Sequence, residues 1–378
     1  MPTETPVAGL PDDVDAGEVE SAVRVAVRDP SAVLLAAAGE PLAHRISAPT
    51  TRSLTRLRAR VRTGSGDAEV TLVAKALQAA RHGLPPQLPD DLRARIDALI
   101  PWRLEAQIYV SGLGEAMPPG LRMPRLLGLT EQPDDRAVLW LEDVAAPTEP
   151  WTPERSERTA RQLGRLAARR RLQPELALPG GPFLDVFLDQ QLRSSALPAL
   201  ADDATWAHPA FADPDVAGLR RRVDALARRV DEMAQRLART PSLPAHGDPT
   251  PMNLLGPEED CVLIDWGTAT PAPAGFDLLP LVFGRAESGA GEVQELPGLL
   301  SAALPAYRAG LAEDGVDVDA ADLAAAAVAM AQLRYAFTGL PLDELGGSPP
   351  DDPAAAVPRR RRRAAFVAAV LDLDPARL

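Results

Sequence analysis

The stretch that decides the fold reads His246-Gly247-Asp248-Pro249-Thr250-Pro251-Met252-Asn253-Leu254-Leu255, and Ile264-Asp265-Trp266-Gly267 follows it after a short apolar strand. Phosphoryl transfer from a nucleotide needs a carboxylate that orients the acceptor hydroxyl and takes its proton. It also needs hard oxygen ligands for the Mg²⁺ ion on the phosphates. Asp248, Asn253 five residues later and Asp265 at the end of a strand supply these three groups from one compact segment.

This segment resembles the aminoglycoside phosphotransferase/choline kinase family, because the spacing Asp-x4-Asn followed by a metal-binding Asp is that of a kinase catalytic loop. Asp277, in Gly275-Phe276-Asp277-Leu278, matches a further acid of that family. The resemblance implies Asp248 as the catalytic residue and Asn253 and Asp265 as metal ligands. His246 and Asp277 are then expected to support the loop.

The resemblance also implies an α+β, bilobal, protein-kinase-like fold, with a small antiparallel sheet and one helix in the N-lobe and a larger, mainly helical C-lobe. Such an N-lobe needs a strand lysine for the phosphates and a helix glutamate that holds it. The chain has 40 basic residues, and only Lys75 is a lysine. It lies in a predicted strand, and Glu105, in a pattern with Arg103 and Tyr109, follows on the next helix. The resemblance spans roughly residues 30–340.

Two further N-lobe segments are candidates for nucleotide contact. In the family the hinge meets the adenine through backbone groups, and the matching residues here are Trp140, Leu141, Glu142 and Val144. The expected phosphate loop, Ile46-Ser47-Ala48-Pro49-Thr50-Thr51-Arg52, contains no glycine, which departs from the usual kinase pattern. The hydroxyl groups of Ser47, Thr50 and Thr51 are its candidate donors to phosphate, and Arg52 is a candidate cation.

The chain divides into three segments by composition and pattern. Residues 1–24 hold six acids and one arginine and are predicted to be mobile. Residues 25–142 form the predicted N-lobe, in which Leu57, Ala59 and Val61 alternate with arginines on a strand that a Gly-rich turn connects to the next. A predicted helix covers residues 90–112. Residues 143–378 form the predicted C-lobe, with helices near 152–172, 216–237, 298–313, 319–337 and 360–371.

Composition excludes several classes of protein. A single cysteine, Cys261, excludes a disulfide framework or a Cys-rich metal site. The net charge of −13 argues against nucleic-acid binding. The first residues lack the pattern of a secretory signal, and the longest apolar run, 323–333, is about half the length of a bilayer span. We therefore expect a cytoplasmic protein with no membrane or nucleic-acid partner.

The sequence leaves three functions open. The first is an ATP- or GTP-dependent, Mg²⁺-dependent O-phosphotransferase acting on a hydroxyl of an aminoglycoside, sugar or related metabolite. The second is a Ser/Thr kinase of a precursor peptide, for which the arginine-rich strand is a candidate leader-binding face. The third is a nucleotide-binding pseudokinase scaffold, favoured by the glycine-free loop. Residues 183–239 hold nine acids and eight arginines, so no acidic pocket for a cationic acceptor stands out. Candidate substrate residues there are Asp185, Asp189 and Trp206.

Overall fold

The computed structural model describes residues 7–9, 14–43, 46, 48–147, 150–173, 183–346 and 353–378. The chain forms two compact units. The first unit comprises Met1–Met117, Leu121–Thr148 and Leu255–Thr268, and the second comprises Pro118–Gly120, Glu149–Leu254 and Ala269–Leu378.

The strands are β1 (Val7–Ala8), β2 (Val33–Pro41), β3 (Thr51–Thr63), β4 (Gly66–Gln78), β5 (Leu121–Arg122), β6 (Leu126–Gln132), β7 (Arg136–Glu142), β8 (Ser242–Ala245), β9 (Leu254–Leu255), β10 (Cys261–Leu263) and β11 (Thr270–Pro273). The helices are α1 (Ala16–Val27), α2 (Ala80–Gly83), α3 (Asp90–Leu99), α4 (Leu104–Val110), α5 (Leu113–Ala116), α6 (Pro153–Leu172), α7 (Phe183–Val186), α8 (Leu197–Ala201), α9 (Asp203–Ala207), α10 (Pro214–Ala217), α11 (Arg220–Ala227), α12 (Val230–Leu237), α13 (Leu278–Glu287), α14 (Leu296–Glu313), α15 (Ala320–Thr338) and α16 (Pro353–Leu371). A π-helical segment, Phe187–Ala196, continues α7.

The first unit is built on a six-stranded sheet in the order β1-β2-β3-β4-β7-β6. Strands β2, β3, β4, β7 and β6 pair antiparallel, and β1 pairs parallel to β2. The predicted hairpin between β3 and β4 is confirmed, with Thr63 opposite Gly66. The alternation of β3 is also confirmed, because Leu57, Ala59 and Val61 are buried.

One face of this sheet is covered by α1. Val19, Ala22 and Val23 of that helix are buried in the same core cluster as Leu57 and Leu72. The prediction of a mobile segment through residue 24 is therefore wrong from residue 16 onward, because apolar residues on one face of a helix bury against the sheet. The acidic residues of the segment serve partly as caps, since Asp15 and Glu18 form a capping box at the start of α1.

The other face of the sheet carries the lysine. Leu72, Ala74 and Ala76 of β4 belong to the core cluster under α1. Successive side chains of a strand point to opposite faces, so Lys75 lies on the face away from α1. Helix α4 carries Glu105, which contacts Lys75. The single helix predicted over 90–112 is divided into α3 and α4 in the structure. Pro101 stands between them, and proline disfavours helical continuation of the residue before it.

The second unit is mainly helical. Helix α6 begins at the predicted N-cap, where Thr152 Oγ1 accepts a hydrogen bond from Arg155 N at 3.2 Å. The helix predicted over 216–237 is divided into α10, α11 and α12, although its periodic apolar residues are buried as expected. Gly218 lies at the first break, where its low helix propensity favours an end. Nothing in the local sequence explains the second break, at residues 228–229.

Helix α15 is long and strongly apolar. The region Ala320–Glu344 is long and apolar enough to cross a membrane by length and composition alone, with a mean hydropathy of 1.2. However, 72% of this window is buried inside the protein. Leu323, Val328 and Tyr335 are among its buried side chains. An interior helix of a globular protein has this composition, and α15 is one.

Candidate active site

The predicted catalytic loop follows β8 and is fixed by a buried carboxylate. Asp277, at the start of α13 and 3% exposed, accepts hydrogen bonds from the backbone N–H groups of His246 and Gly247, each at 2.9 Å. His246 is fully buried, and its Nδ1 accepts from Asp248 N at 3.2 Å. Gly247 has a φ of +97°, a conformation that favours glycine. The motif residues around Asp248 therefore hold its backbone in place.

Asn253 is joined to Asp248 directly. Its Nδ2 donates to the Asp248 carbonyl oxygen at 2.8 Å and to Asp248 Oδ2 at 3.2 Å. These bonds fix the orientation of the amide, and its carbonyl oxygen remains as the acceptor end of the side chain. The spacing of five residues has thus brought a carboxylate and an amide oxygen to one loop.

A buried arginine lies beneath this loop and was not singled out by the sequence analysis. Arg170 of α6 is 1% exposed, and its Nη1 donates to the carbonyl oxygen of Ala245 at 3.3 Å. Burial lowers the pKa of Arg170 to about 10 against the attraction of Asp277. Burial likewise raises the pKa of Asp277. One signal was available: Arg170 follows Leu163 and Leu166 at helical spacing, which places it on the buried face of α6.

Lys75 forms the centre of a second cluster, within the first unit. Its Nζ lies 2.6 Å from Glu105 Oε2 and 2.7 Å from Asp265 Oδ1. Register places Lys75 between Leu54 of β3 and Leu139 of β7, in the middle of the sheet. Lys75 and Glu105 are buried, whereas the side chain of Asp265 is 50% exposed. The structure therefore brings the predicted strand lysine, helix glutamate and post-strand aspartate together.

The electrostatics of this cluster favour a charged lysine. Burial acts to lower the pKa of Lys75, but the Glu105 and Asp265 carboxylates outweigh it, and the net shift is upward. Glu105 also accepts a hydrogen bond from the backbone N–H of Trp266. Asp265 has a φ of +64°. Strained backbone of this kind persists where surrounding contacts hold it, and it is enriched at functional sites.

The glycine-free loop is tied to the sheet. Gln78 N donates to the Thr50 carbonyl oxygen at 2.9 Å, and Gln78 Nε2 donates to the Pro49 carbonyl oxygen at 3.0 Å. Thr51 begins β3 opposite Leu77. Arg52 Nη2 donates a hydrogen bond to Gln132 Oε1 at 3.5 Å. Ser47 lies outside the described residues, and the roles of Thr50 and Thr51 toward phosphate stay predictions.

The predicted hinge lies at the end of β7. Trp140 is 1% exposed, and its indole N–H donates to Thr130 Oγ1 at 3.0 Å, so its side chain belongs to the core. Glu142 forms an ion pair with Arg122 at 2.9 Å. Leu141 is buried, and Val144 follows the strand. Because the polar side chains have protein partners, nucleotide contact through this segment would use backbone groups.

The three candidate substrate residues differ in their surroundings. Asp185 lines a cavity of about 530 Å³ between the π-helical segment, α12 and β11. Asp189 forms an ion pair with Arg193 at 2.7 Å, and Arg193 also meets Asp231 at 2.7 Å. Trp206 is buried, and its indole N–H donates to the Leu200 carbonyl oxygen at 2.8 Å. These contacts favour a packing role for Trp206 and leave Asp185 as the candidate with access to a cavity.

The donor set fits a divalent cation that is shared with phosphates. Mg²⁺ prefers oxygen ligands and is commonly held by one or two protein groups plus substrate phosphates. The half-exposed carboxylate of Asp265 in the first unit is a ligand of this type. The amide oxygen of Asn253 in the second unit is another. Across the residues that the structure describes, no three His, Cys, Asp or Glu side chains form a metal site by themselves. A cation bound by either group would therefore complete its shell with phosphate and water oxygens.

Comparison with known proteins gives the family. The model of the phosphotransferase enzyme family matches residues 115–312, which is more than half of the chain. The chain therefore belongs to the phosphotransferase enzyme family. No curated protein matches it in overall sequence comparison.

Solved structures give the fold. The chain is similar to an aminoglycoside phosphotransferase from Alicyclobacillus acidocaldarius, with 17% identity, a TM-score of 0.53, and coverage of 86% of this chain and 90% of that one. It is also similar to the amicoumacin kinase hAmiN in complex with AMP-PNP, Ca²⁺ and Ami, with 11% identity, a TM-score of 0.51, and coverage of 89% and 91%. These similarities confirm the predicted α+β, protein-kinase-like fold, with a sheet-based first unit and a mostly helical remainder.

Proposed function

We propose that the protein is a cytoplasmic, Mg²⁺-dependent O-phosphotransferase that moves the γ-phosphate of ATP or GTP to a hydroxyl group of a small molecule. The observation that carries the proposal is the buried Lys75–Glu105 ion pair beside Asp265. Family membership supports phosphoryl transfer. The nucleotide analogue named for the amicoumacin kinase supports a nucleotide donor.

Lys75 is assigned to the α- and β-phosphates of the nucleotide. Glu105 is buried and fixes the ammonium group at 2.6 Å, so the lysine needs no reorganisation when phosphates arrive. Asp265 and Asn253 would hold Mg²⁺, which neutralises phosphate charge when bound. Arginine is a poor substitute for a compact ammonium held between carboxylates, because its planar fork needs a wider site. This explains a lone lysine in a chain that otherwise uses arginine.

Asp248 is assigned to the acceptor. Its carboxylate orients the attacking hydroxyl and accepts the proton as the bond to phosphorus forms. Asn253 fixes one carboxylate oxygen of Asp248 through Nδ2, and Asp277 fixes the backbone before it. The position of the base is thus set by hydrogen bonds to the loop rather than by the substrate.

The structure offers less support for a Ser/Thr kinase of a precursor peptide and for a nucleotide-binding pseudokinase scaffold. The arginines of β3 were the argument for a peptide leader, but Arg56 pairs with Asp143 at 2.8 Å and Arg58 with Glu40 at 3.2 Å. Paired arginines present less net charge to an acidic peptide. A pseudokinase scaffold has no need of Lys75 held by two carboxylates, so that arrangement favours an active enzyme.

A lysine substitution tests the proposal. Lys75→Arg keeps the positive charge but widens the group, and we expect the nucleotide KM to rise or kcat to fall by about tenfold or more. The matched control is Arg58→Lys on the exposed face of the same sheet, which should leave both constants unchanged. ADP release over a panel of alcohols measures both. Wild-type kinetics for Lys75→Arg would contradict the assignment of Lys75 to the phosphates.

A further inference from the structure

Arg334 of α15 carries a guanidinium group that forms no ion pair with a carboxylate of the described residues. Its Cζ lies 5.7 Å from the ring centre of Phe276 and 5.2 Å from that of Tyr335. Its Nη1 is buried and donates to no acceptor. Within the described ranges, no carboxylate lies within ion-pair distance of it, whereas the half-buried Arg56, Arg122, Arg165 and Arg360 each have such a partner. A half-buried cation held only by aromatic faces is available to an anion.

Contacts place Arg334 beside the catalytic loop. Phe276 directly precedes Asp277, whose carboxylate holds the loop. The ring of Tyr335 packs against Phe283 at 5.4 Å between centres. The next residue, Gly284, abuts the loop, because a Cβ there would lie 2.8 Å from Thr250 Cγ2. Asp248 is two residues before Thr250, so α13, against which α15 packs, reaches the loop that carries the proposed base.

Two further polar groups at this place lack partners. Tyr335 Oη and Thr250 Oγ1 are buried, and neither forms a hydrogen bond in the described structure. Each buried polar group without a partner costs about 1–3 kcal/mol, so such groups rarely gather without a function. Burial raises the pKa of Tyr335, and the Asp248 carboxylate adds to that shift, which agrees with their proximity. Tyr335 therefore keeps its phenol proton and can donate it.

Two acids within electrostatic range compensate the positive charge of Arg334 only in part. Asp277 is within electrostatic range but accepts two backbone N–H groups and also faces Arg170. Glu287 is also within range but forms no ion pair with Arg334 in the part of the chain described. Of the candidate acids for a cationic acceptor, Asp189 is already paired with Arg193. The guanidinium of Arg334, which has no ion pair in the described chain, thus favours an anionic acceptor over a polycationic one.

We propose that the acceptor is an alcohol that carries an anionic group, a phosphate or a carboxylate, and that Arg334 binds this group. Tyr335 and Thr250 then meet its other oxygen atoms. The proposal rests on the phosphotransferase function above and specifies its substrate class. In the transfer, the bond from the acceptor oxygen to the γ-phosphorus forms and the bond to the bridging oxygen of the nucleoside diphosphate breaks. The hydroxyl proton passes to Asp248.

Matched pairs of acceptors test the proposal. Each pair is a phosphorylated or carboxylated alcohol and the same alcohol without the anionic group, for example glycerol 3-phosphate with glycerol and glyceric acid with its amide. Amine-bearing alcohols form a third arm. We expect wild-type kcat/KM to favour the anionic member by about 10–100-fold, the range for a hydrogen-bonded charge. The two anionic arms distinguish phosphate from carboxylate.

Variants connect the preference to Arg334. In Arg334→Met the preference should disappear while the nucleotide KM stays unchanged, and Arg334→Lys, which keeps the charge without the fork, should retain part of it. The control Arg308→Met removes an arginine of α14 that donates to Val318 and should leave the preference intact. Thermal melting confirms folding of each variant, and Arg334→Lys serves if Arg334→Met does not fold.

The results separate this proposal from the function on which it rests. Transfer to neutral or amine-bearing alcohols with no preference for anions, or a preference that persists in Arg334→Met and Arg334→Lys, would overturn the anionic acceptor alone. Absence of both transfer and nucleotide binding would instead contradict the phosphotransferase function.

Discussion

Asp277→Asn tests whether the buried carboxylate holds the catalytic loop. Asp277 accepts two backbone N–H groups at 2.9 Å, and an asparagine offers one oxygen and one NH₂ group to the same two donors. One buried donor is then left unpaired, which costs about 1–3 kcal/mol. Arg170, which is buried, also loses the attraction of this charge, and that loss adds to the cost. We therefore expect a total loss of about 2–4 kcal/mol.

Urea unfolding at pH 7, followed by tryptophan fluorescence, measures this free energy. A loss of this size is a large share of the roughly 5–15 kcal/mol that stabilises a typical domain. The matched control is Asp319→Asn at the exposed N-cap of α15, where asparagine caps about as well as aspartate. The cost of Asp277→Asn should also fall in an Arg170→Met background, since neighbours in one network are not additive. A loss below about 1 kcal/mol, or an equal loss in both backgrounds, would refute the reasoning.

Two further predictions concern α6 and α14. Gly164→Ala should destabilise the protein by about 1–3 kcal/mol, because the new Cβ would overlap the Tyr307 carbonyl oxygen. Gly298→Ala, which meets no atom within 4 Å, should be neutral or stabilising. Burial acts to raise the pKa of Asp314, but hydrogen bonds from Arg165 and Arg169 of α6 lower it below its usual value of 3.8. The stabilisation from Asp314 is therefore present above that pH and is lost as the pH falls through the pKa of the folded state. Asp314→Asn should therefore cost about 1–2 kcal/mol at pH 7, and urea titrations should show the difference shrinking below about pH 4.

The site was predictable where its chemistry is encoded locally. Asp248 and Asn253 are five residues apart on one loop, so their hydrogen bond follows from spacing. Lys75 stood out by composition alone. Glu105 was predictable because kinase-like chemistry requires a carboxylate for that lysine, and the next helix offered one.

Other features depend on tertiary packing and could not be predicted. Arg170 lies in a run of arginines, and although its helical spacing from Leu163 and Leu166 places it on the buried face of α6, its contact with the loop depends on tertiary packing. Arg334 likewise could not be singled out, because one of the two rings it contacts, that of Phe276, is distant in sequence. The other ring belongs to the adjacent residue, Tyr335. Helix α1 formed within a segment whose acidic composition favoured mobility, because Val19, Ala22 and Val23 bury one face of it and neighbouring apolar residues pack beside them. Overall composition does not show where individual apolar and charged residues lie along a helix, whereas packing depends on those positions.

Asp248 is assigned to the acceptor and not to the nucleotide. The direct test is Asp248→Asn, with kcat for phosphate transfer and the nucleotide dissociation constant measured on the same preparation. Loss of a general base should lower kcat by about 10²–10⁴-fold while the dissociation constant changes by less than about threefold. Undiminished transfer, or loss of nucleotide binding in parallel with transfer, would contradict the account.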